Sequence, residues 1–302
     1  LELRQLLALV TVAETESFTK AAEQLSLTQS AVTRQIAALE NETHTRLFDR
    51  LGRTVVLTSA GRVLQGYAVE MLRLDTEAKH AVNDVRSGIG GKLALGASST
   101  AAAYILPPLL QLFRRDRPGV DLSVLTGPSR RVAELVADNQ VDIGMLMDEP
   151  TIGGLTSIKV ADYSIALIVY PGHQLIEISR SKPLGVSLHD LGNVPLILMQ
   201  PGASLRRSAD EILEQSGTAP NISMELDNVE AIKKMIEQRL GVSLLPIMSV
   251  KDETASGNLV ALPINAPNPP RPSIVIIHRA DKYVSGAMQA LIKLVADNIR
   301  TV

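Results

Sequence analysis

FTKAAEQLSLTQSAVTRQIAALENE, running from Phe18 to Glu42, is the stretch on which the reading of this chain turns. It predicts two short helices joined by a tight turn. Ser17 is placed to cap the first and Thr28 the second, because a side-chain oxygen just before a helix accepts from its unpaired N–H groups. Phe18, Ala21, Ala22 and Leu25 make the buried stripe of the first helix, and Val32, Ile36 and Leu39 that of the second. Leu27, in the turn Ser26-Leu27-Thr28, is expected to point inward and pin it. Gln29, Ser30, Thr33 and Arg34 fall on a separate face, about 120° round from the core stripe. Glutamine takes adenine bidentately, arginine takes guanine, and hydroxyls serve bases or phosphates, so this row suits the major groove of DNA. A solvated polar face accounts for this helix equally well when it is taken alone.

The flanking sequence favours DNA. Upstream, Leu3, Leu6, Leu7, Val10 and Ala13 fall at helical spacing and predict one apolar face. Downstream, Arg46–Arg50 and Arg53–Leu57 read as two short strands around Leu51-Gly52. That places Arg50 and Arg53 where a wing meets phosphates or an adjacent minor groove. Surface ion pairs with Asp49 or Glu42 are the plainer account of each arginine. Helices followed by a basic hairpin form a winged helix-turn-helix, a more specific pattern than either half.

Bulk charge gives no help. The chain has 302 residues and a net charge of −2. Within the first 61 residues Arg4, Lys20, Arg34, Arg46, Arg50 and Arg53 are slightly outnumbered by Glu2, Glu14, Glu16, Glu23, Glu40, Glu42 and Asp49. Long-range attraction to nucleic acid is therefore weak, and the case rests on local placement. Apolar content of 45% and charged content of 21% are those of an ordinary globular protein with room for more than one core. No apolar run approaches the ~18 residues of a membrane span, so no membrane association is expected. No secretory pattern opens the chain. The absence of cysteine excludes disulfides and thiolate metal sites and is compatible with a cytoplasmic location. Leu1 in the place of methionine leads us to expect that the initiator is missing.

From Thr58 the sequence predicts one helix of about thirty residues, a rod of roughly 45 Å ending near Ser87-Gly88. Leu57, Ala60, Leu64, Tyr67, Met71, Leu74, Ala78, Ala81 and Val85 recur at alternating spacings of three and four, the pattern of a coiled-coil seam. The first helix could cover only its N-terminal half, so the rest calls for a second copy. Two copies would present two reading helices to one side of the DNA and ask for a roughly palindromic site. Residues 58–90 are thus a dimerisation helix and hinge, closed by Gly88-Ile89-Gly90-Gly91.

Residues 91–302 alternate strands and helices, and so predict α/β layers. Two series joined by extended crossovers suggest two lobes with a cleft between them: residues 91–160 and 266–302 in one, 161–265 in the other. Ligands of open α/β sheets bind beyond the carboxyl ends of strands. Ser98, Ser99 and Thr100 stand at such an end in the first lobe. Gln200, Ser204 and Arg206 stand at one in the second, and Asn228 caps the helix after a further strand. Helix N-termini carry free N–H groups and partial positive charge, so a small anion is the expected guest. Plain helix capping is the alternative at either place. No catalytic signature occurs, the five histidines are scattered singly, and neither enzyme activity nor a cofactor is expected.

FTKAAEQLSLTQSAVTRQIAALE, with LFDR and LTSAG after it, closely resembles the winged helix-turn-helix of the LysR-type transcriptional regulators. ILPPLLQLFRRDRPGVDL, VADNQVDIGML and LGVSLLP resemble the landmarks of that family's effector domain, so the likeness covers nearly the whole chain. It implies a residue 1–57 DNA-binding domain, a homodimer or homotetramer on promoter DNA, and an inducer between two lobes like those of periplasmic binding proteins. The family's base and phosphate contacts carry over to Gln29, Ser30, Thr33, Arg34 and Arg53, with Ser30 where proline is more frequent. GASSTAAAYILPPLL and SMELDNVEAIKKMIEQRLGVSLLP are most like the branch that includes regulators of sulfite reduction and of carbon-fixation operons. That likeness implies a small anion or phosphorylated metabolite as inducer. Leu205 stands there in place of a hydroxyl, and Arg239 in place of a small residue. A solute-binding protein for a small anion, and a DNA-architectural protein with a vestigial cleft, are the competing readings.

Overall fold

The computed structural model describes residues 1–51, 54–87, 91–217 and 219–299. The chain forms two compact units, Leu1–Arg86 and Ser87–Val302.

In the first unit α1 (Leu3–Thr15), α2 (Phe18–Gln24) and α3 (Gln29–Glu42) pack as three helices. The hairpin β1 (Phe48–Leu51) and β2 (Thr54–Leu57) follows, then the long helix α4 (Ser59–Ser87). The expected caps form: the Ser17 hydroxyl accepts from the Lys20 N–H, and that of Thr28 from Ala31. Phe18, Ala21 and Ala22 of α2 meet Val32, Ile36 and Leu39 of α3 in one core with Leu6, Leu9, Val12 and Leu47. Ser26 takes a left-handed backbone, φ 55°, to turn the chain between α2 and α3.

Two expectations about this core need correcting. Leu27 is 43% exposed and does not pin the turn inward. The backbone holds the turn instead, through the bonds from Ser26 N to Glu23 O and Leu27 N to Ala22 O. On α1 the buried face is Leu6, Ala8, Leu9 and Val12, while Leu3 and Leu7 are 42% and 43% exposed. The helix carries two apolar ridges, and the spacing rule merged them.

The root of the hairpin is tied to its neighbours by polar bonds. A Glu40 carboxylate oxygen accepts from the N–H groups of Leu47, at 2.8 Å, and Phe48, at 3.4 Å. The Thr58 hydroxyl donates to Arg46 O and accepts from Gly61 N, so one side chain closes the hairpin and caps α4. Gly61 lies so close to the hairpin that an added Cβ would meet Leu47 O at 2.1 Å. Along α4, Leu57, Ala60 and Leu64 of the expected seam pack half-buried on the core, joined by Ala68 and Leu72 from outside it. Tyr67, Met71 and Leu74 of the seam are 64%, 39% and 55% exposed, and Ala78 is exposed as well. The side chains of Ala81 and Val85 lie outside the described residues, as do residues 88–90 of the expected hinge.

The second unit runs β3 (Gly91–Ser98), α5 (Ser99–Tyr104), α6 (Leu106–Asp116), β4 (Val120–Gly127), α7 (Ser129–Ala137), β5 (Ile143–Leu146), β6 (Leu155–Asp162) and β7 (Ile165–Val169). It continues through α8 (Leu175–Ser181), β8 (Val186–Ser187), β9 (Leu196–Met199), α9 (Ser204–Glu214), β10 (Ile222–Leu226), α10 (Val229–Glu237) and β11 (Ser243–Pro246). It closes with α11 (Lys251–Ser256), β12 (Val260–Leu262), β13 (Ile264–Asn265), β14 (Ser273–Arg279) and α12 (Gly286–Asn298). One sheet has the order β4-β3-β5-β14-β6, with β3 parallel to β4 and β5 and the returning β14 antiparallel to its neighbours. The parallel pair β10-β9 and the antiparallel trio β11-β7-β12 lie in the other half, joined by a bridge between Leu196 and Val242. The chain crosses between halves twice, at Tyr163-Ser164 and again before β14, and the crossings touch where Tyr163 N donates to Pro272 O. One apolar cluster, including Leu95, Ile105, Ile197, Leu205 and Ile232, runs through both halves.

Candidate DNA-reading face and effector cleft

α3 presents the expected row. Gln29, Ser30 and Arg34 are exposed and Thr33 partly so, while the opposite face is sealed in the core. The Gln29 amide donates to the Thr33 hydroxyl at 3.2 Å, and that hydroxyl donates to Gln29 O at 3.0 Å. Thr28 and Ser30 share a hydroxyl contact of 3.1 Å at the helix start. The polar groups are therefore ordered against each other before any base is present. Arg34 has no ionic partner among the described residues, so its fork of donors is available. Arg50 stands on β1 opposite Val55, its side chain outside the described residues, and Arg53 lies outside them altogether. Between α3 and the wing root is a groove of about 570 Å³ lined by Thr33, Ile36, Glu40, Arg46 and Asp49 among others.

In the second unit the carboxyl ends of β3, β4 and β5 bring Ser98, Ser129 and Asp148 to positions at or just past a strand end. In the other half β9 and β10 do the same for Ser204 and Asn228. A cavity of about 240 Å³ lies between the halves, lined by Ser129, Arg130, Asp148, Glu149, Ser204 and Arg207 among others. Two bonds span it. Ser204 Oγ donates to Ser129 Oγ at 3.1 Å, joining the first residues of α9 and α7. The Arg207 guanidinium donates to Asp148.

Of the expected effector residues only Ser204 lines this cavity. Ser98 is buried, and its hydroxyl has no hydrogen-bond partner among the described residues. Thr100 is buried, Ser99 and Gln200 are exposed, and Asn228 is occupied in capping α10 through Ala231 N at 2.8 Å. Arg206 is turned away. Its Nε donates to Asp210 at 2.8 Å, and a terminal nitrogen donates to Glu225 at 2.6 Å and to Met199 O at 2.9 Å. Burial works against its charge, but the two carboxylates outweigh that and hold its pKa above the usual range. Two acids and a carbonyl thus surround Arg206, whereas the neighbouring Arg207 lines the cavity. Consecutive helical residues point about 100° apart, so the dipeptide alone left the choice between them open.

Sequence reasoning also missed a second link between the halves. The Tyr104 hydroxyl, at the end of α5, donates to Glu230 of α10. Lys233, one turn on and 4% exposed, pairs with Glu230 at 2.7 Å and Glu253 at 2.8 Å, and donates to Ser249 O at 2.9 Å. Its ammonium lies 5.2 Å from the Tyr104 ring centre. Burial, reinforced by the Glu230 bond, pushes the Tyr104 phenol far above its ordinary pKa. Tyr163, at the crossover, donates to Met147 O at 3.0 Å, and burial raises its phenol too.

Residues 3–62 match the model of the bacterial regulatory helix-turn-helix protein, lysR family, and residues 86–300 that of the LysR substrate binding domain. The chain belongs to the LysR family. It is 34% identical over 296 residues to the uncharacterized HTH-type transcriptional regulator YwqM of Bacillus subtilis, covering 97% of this chain and 98% of that one. It is 32% identical over 263 residues to a probable RuBisCO transcriptional regulator of Cyanophora paradoxa, covering 85% and 80%. A further protein of that name, from Nostoc, is 32% identical over 295 residues, covering 95% and 86%. Solved structures share the fold. A full-length OxyR variant from Pseudomonas aeruginosa has a TM-score of 0.71 at 21% identity, covering 98% of this chain and 94% of that one. Full-length CbnR, solved in complex with its target DNA, has a TM-score of 0.65 at 21% identity, covering 99% and 100%. LysR proteins are DNA-binding transcriptional regulators with an effector-binding domain, and not enzymes. No described helix is long and apolar enough to cross a membrane.

Proposed function

We propose that this LysR-family protein binds promoter DNA in the cytoplasm as a homodimer, or a homotetramer built from dimers, and that a small anionic inducer in the cleft of its effector domain controls its action. The reading head is Thr28, Gln29, Ser30, Thr33 and Arg34, with Arg50 and Arg53 of the wing on the backbone. The observation that carries this is the α3 row, ordered and exposed on a sealed core, with Arg34 unengaged among the described residues. Bidentate arginine–guanine contact is the commonest specific one in the major groove. The exposed Tyr67, Met71 and Leu74 of α4 support pairing through that helix, since an apolar strip on a long helix asks for a partner.

The cleft reading rests on the starts of α7 and α9, which bring the Ser129 and Ser204 hydroxyls to one cavity beside Arg207. Anion binding there favours one arrangement of the lobes, changes how effector domains pack in the oligomer, and so alters the spacing of the paired heads and the bend of the DNA. The relatives that carry the RuBisCO regulator name make a carbon-fixation promoter the first to test. Footprinting on that promoter, with and without sulfate, sulfite, phosphate and small organic acids, tests the whole reading. A protected site that lengthens, shortens or gains hypersensitive positions with one of these anions is expected. No protected site on any promoter fragment contradicts the DNA-reading role. A footprint that no anion alters contradicts inducer control.

A further inference from the structure

Arg206 and Arg207 are adjacent on α9, yet their surroundings differ in kind. Arg206 is 11% exposed and surrounded by Asp210, Glu225 and a backbone carbonyl, and does not line the cavity. Freeing it would leave a mostly buried guanidinium without its acids, which is unfavourable. Arg207 is 47% exposed, lines the cavity, and has a single partner among the described residues, Asp148 of the opposite lobe. That bond uses one terminal nitrogen, so the remaining donors of the fork are unspent.

We propose that Arg207 is the guanidinium that receives the acid group of the inducer, and that Asp148 is the internal competitor which that group displaces. The proposal rests on the cleft being the effector site. An acid with two oxygens, whether carboxylate, sulfate or phosphate, matches the guanidinium fork better than the one-point contact of Asp148. The hydroxyls of Ser129 and Ser204 stand beside it to take a further oxygen. Asp148 is 30% exposed, so once displaced it returns to water at small cost. The other charges facing the cavity are Arg130, 85% exposed and paired with Glu134, and Glu149, so the wall is nearly balanced in charge. Selectivity for an anion must then come from the exchange at Arg207 and not from the overall field. Because Arg207 and Asp148 lie on opposite lobes, the exchange replaces a protein bond across the cleft by one that runs through the ligand. Ligand identity thereby sets the lobe spacing.

The test measures sulfate and inorganic phosphate binding to the full chain by the rise in melting temperature at constant ionic strength. Asp148→Asn is expected to tighten binding about two- to five-fold, the worth of a half-exposed ion pair. Arg207→Gln is expected to weaken it about ten-fold or more, as loss of a charged hydrogen-bonding partner does. Arg206→Gln is expected to lower the melting temperature of the unliganded chain and leave the anion affinity as it was. If the wild-type chain binds either anion and Asp148→Asn fails to tighten it, or Arg207→Gln leaves it unchanged, the exchange is refuted while the cleft reading survives. If neither the wild type nor Asp148→Asn responds to either anion, both fall together.

Discussion

Arg34 carries the largest share of the specificity claim at the level of single residues. Replacing it by alanine should cost about 1–3 kcal/mol of discrimination between a cognate site and random DNA, the worth of one bidentate base contact. Competition binding with the two DNAs measures this directly, and unchanged discrimination would remove Arg34 from the reading head. Gly61 makes a different kind of prediction. A methyl group there meets Leu47 O at 2.1 Å, so Gly61→Ala should destabilise the first unit by about 1–3 kcal/mol through overpacking. Denaturant unfolding of the variant against wild type checks it. Sequence reading succeeded at residues whose role is local. Ser17 and Thr28 cap because of their chemistry and their place just before an apolar period. It failed where the role depends on distant partners. Leu27 is apolar and was expected inside, but the turn around it is closed by backbone bonds and leaves it in solvent. Arg206 sat at the right place in the right motif, yet Glu225, on a strand nineteen positions along, claims it.

At the scale of elements, α4 and the pair α5–α10 matter most. The seam on α4 divides within its first turns: Leu57, Ala60 and Leu64 serve the helix-turn-helix core, and Tyr67, Met71 and Leu74 remain exposed. Leu74→Glu should therefore shift the full chain toward monomer in sedimentation velocity while leaving its helical content intact. An unchanged oligomer would place the interface elsewhere. Heptad periodicity was legible because it is a property of one helix. Which half of the seam was already spent was not, since that depends on how closely the hairpin and Gly61 draw α4 onto the core. The α5–α10 link was not legible at all. Tyr104 and Glu230 are separated by 126 positions, and nothing local marks either. Tyr104→Phe removes the hydroxyl bond to a carboxylate and should cost the second unit about 1 kcal/mol or somewhat more, seen as a lower urea midpoint. An unchanged midpoint would reduce the contact to a surface accident.

For the molecule as a whole, the near-neutral charge is as informative as the motif. With a net charge of −2 and acids outnumbering bases around the reading head, non-specific attraction to DNA is weak. Binding must come from a few well-placed contacts repeated by symmetry. The alternation of strands and helices was visible as changing periodicity, but the strand Leu155–Asp162, which pairs with β14, was not. The cavity was not, because it is made by strand ends that meet only after the sheets form: Asp148 follows β5, Ser129 follows β4, and Ser204 and Arg207 begin α9. The central claim is that an anion in that cavity changes how the protein holds DNA. Footprinting the full chain on its promoter, across a titration of sulfate and phosphate, tests it most directly. A footprint that changes with anion in the wild type and no longer changes in Arg207→Gln, with basal protection retained, is the predicted result. A wild-type footprint unaltered by every anion, or one that Arg207→Gln alters as readily as wild type, would contradict the account.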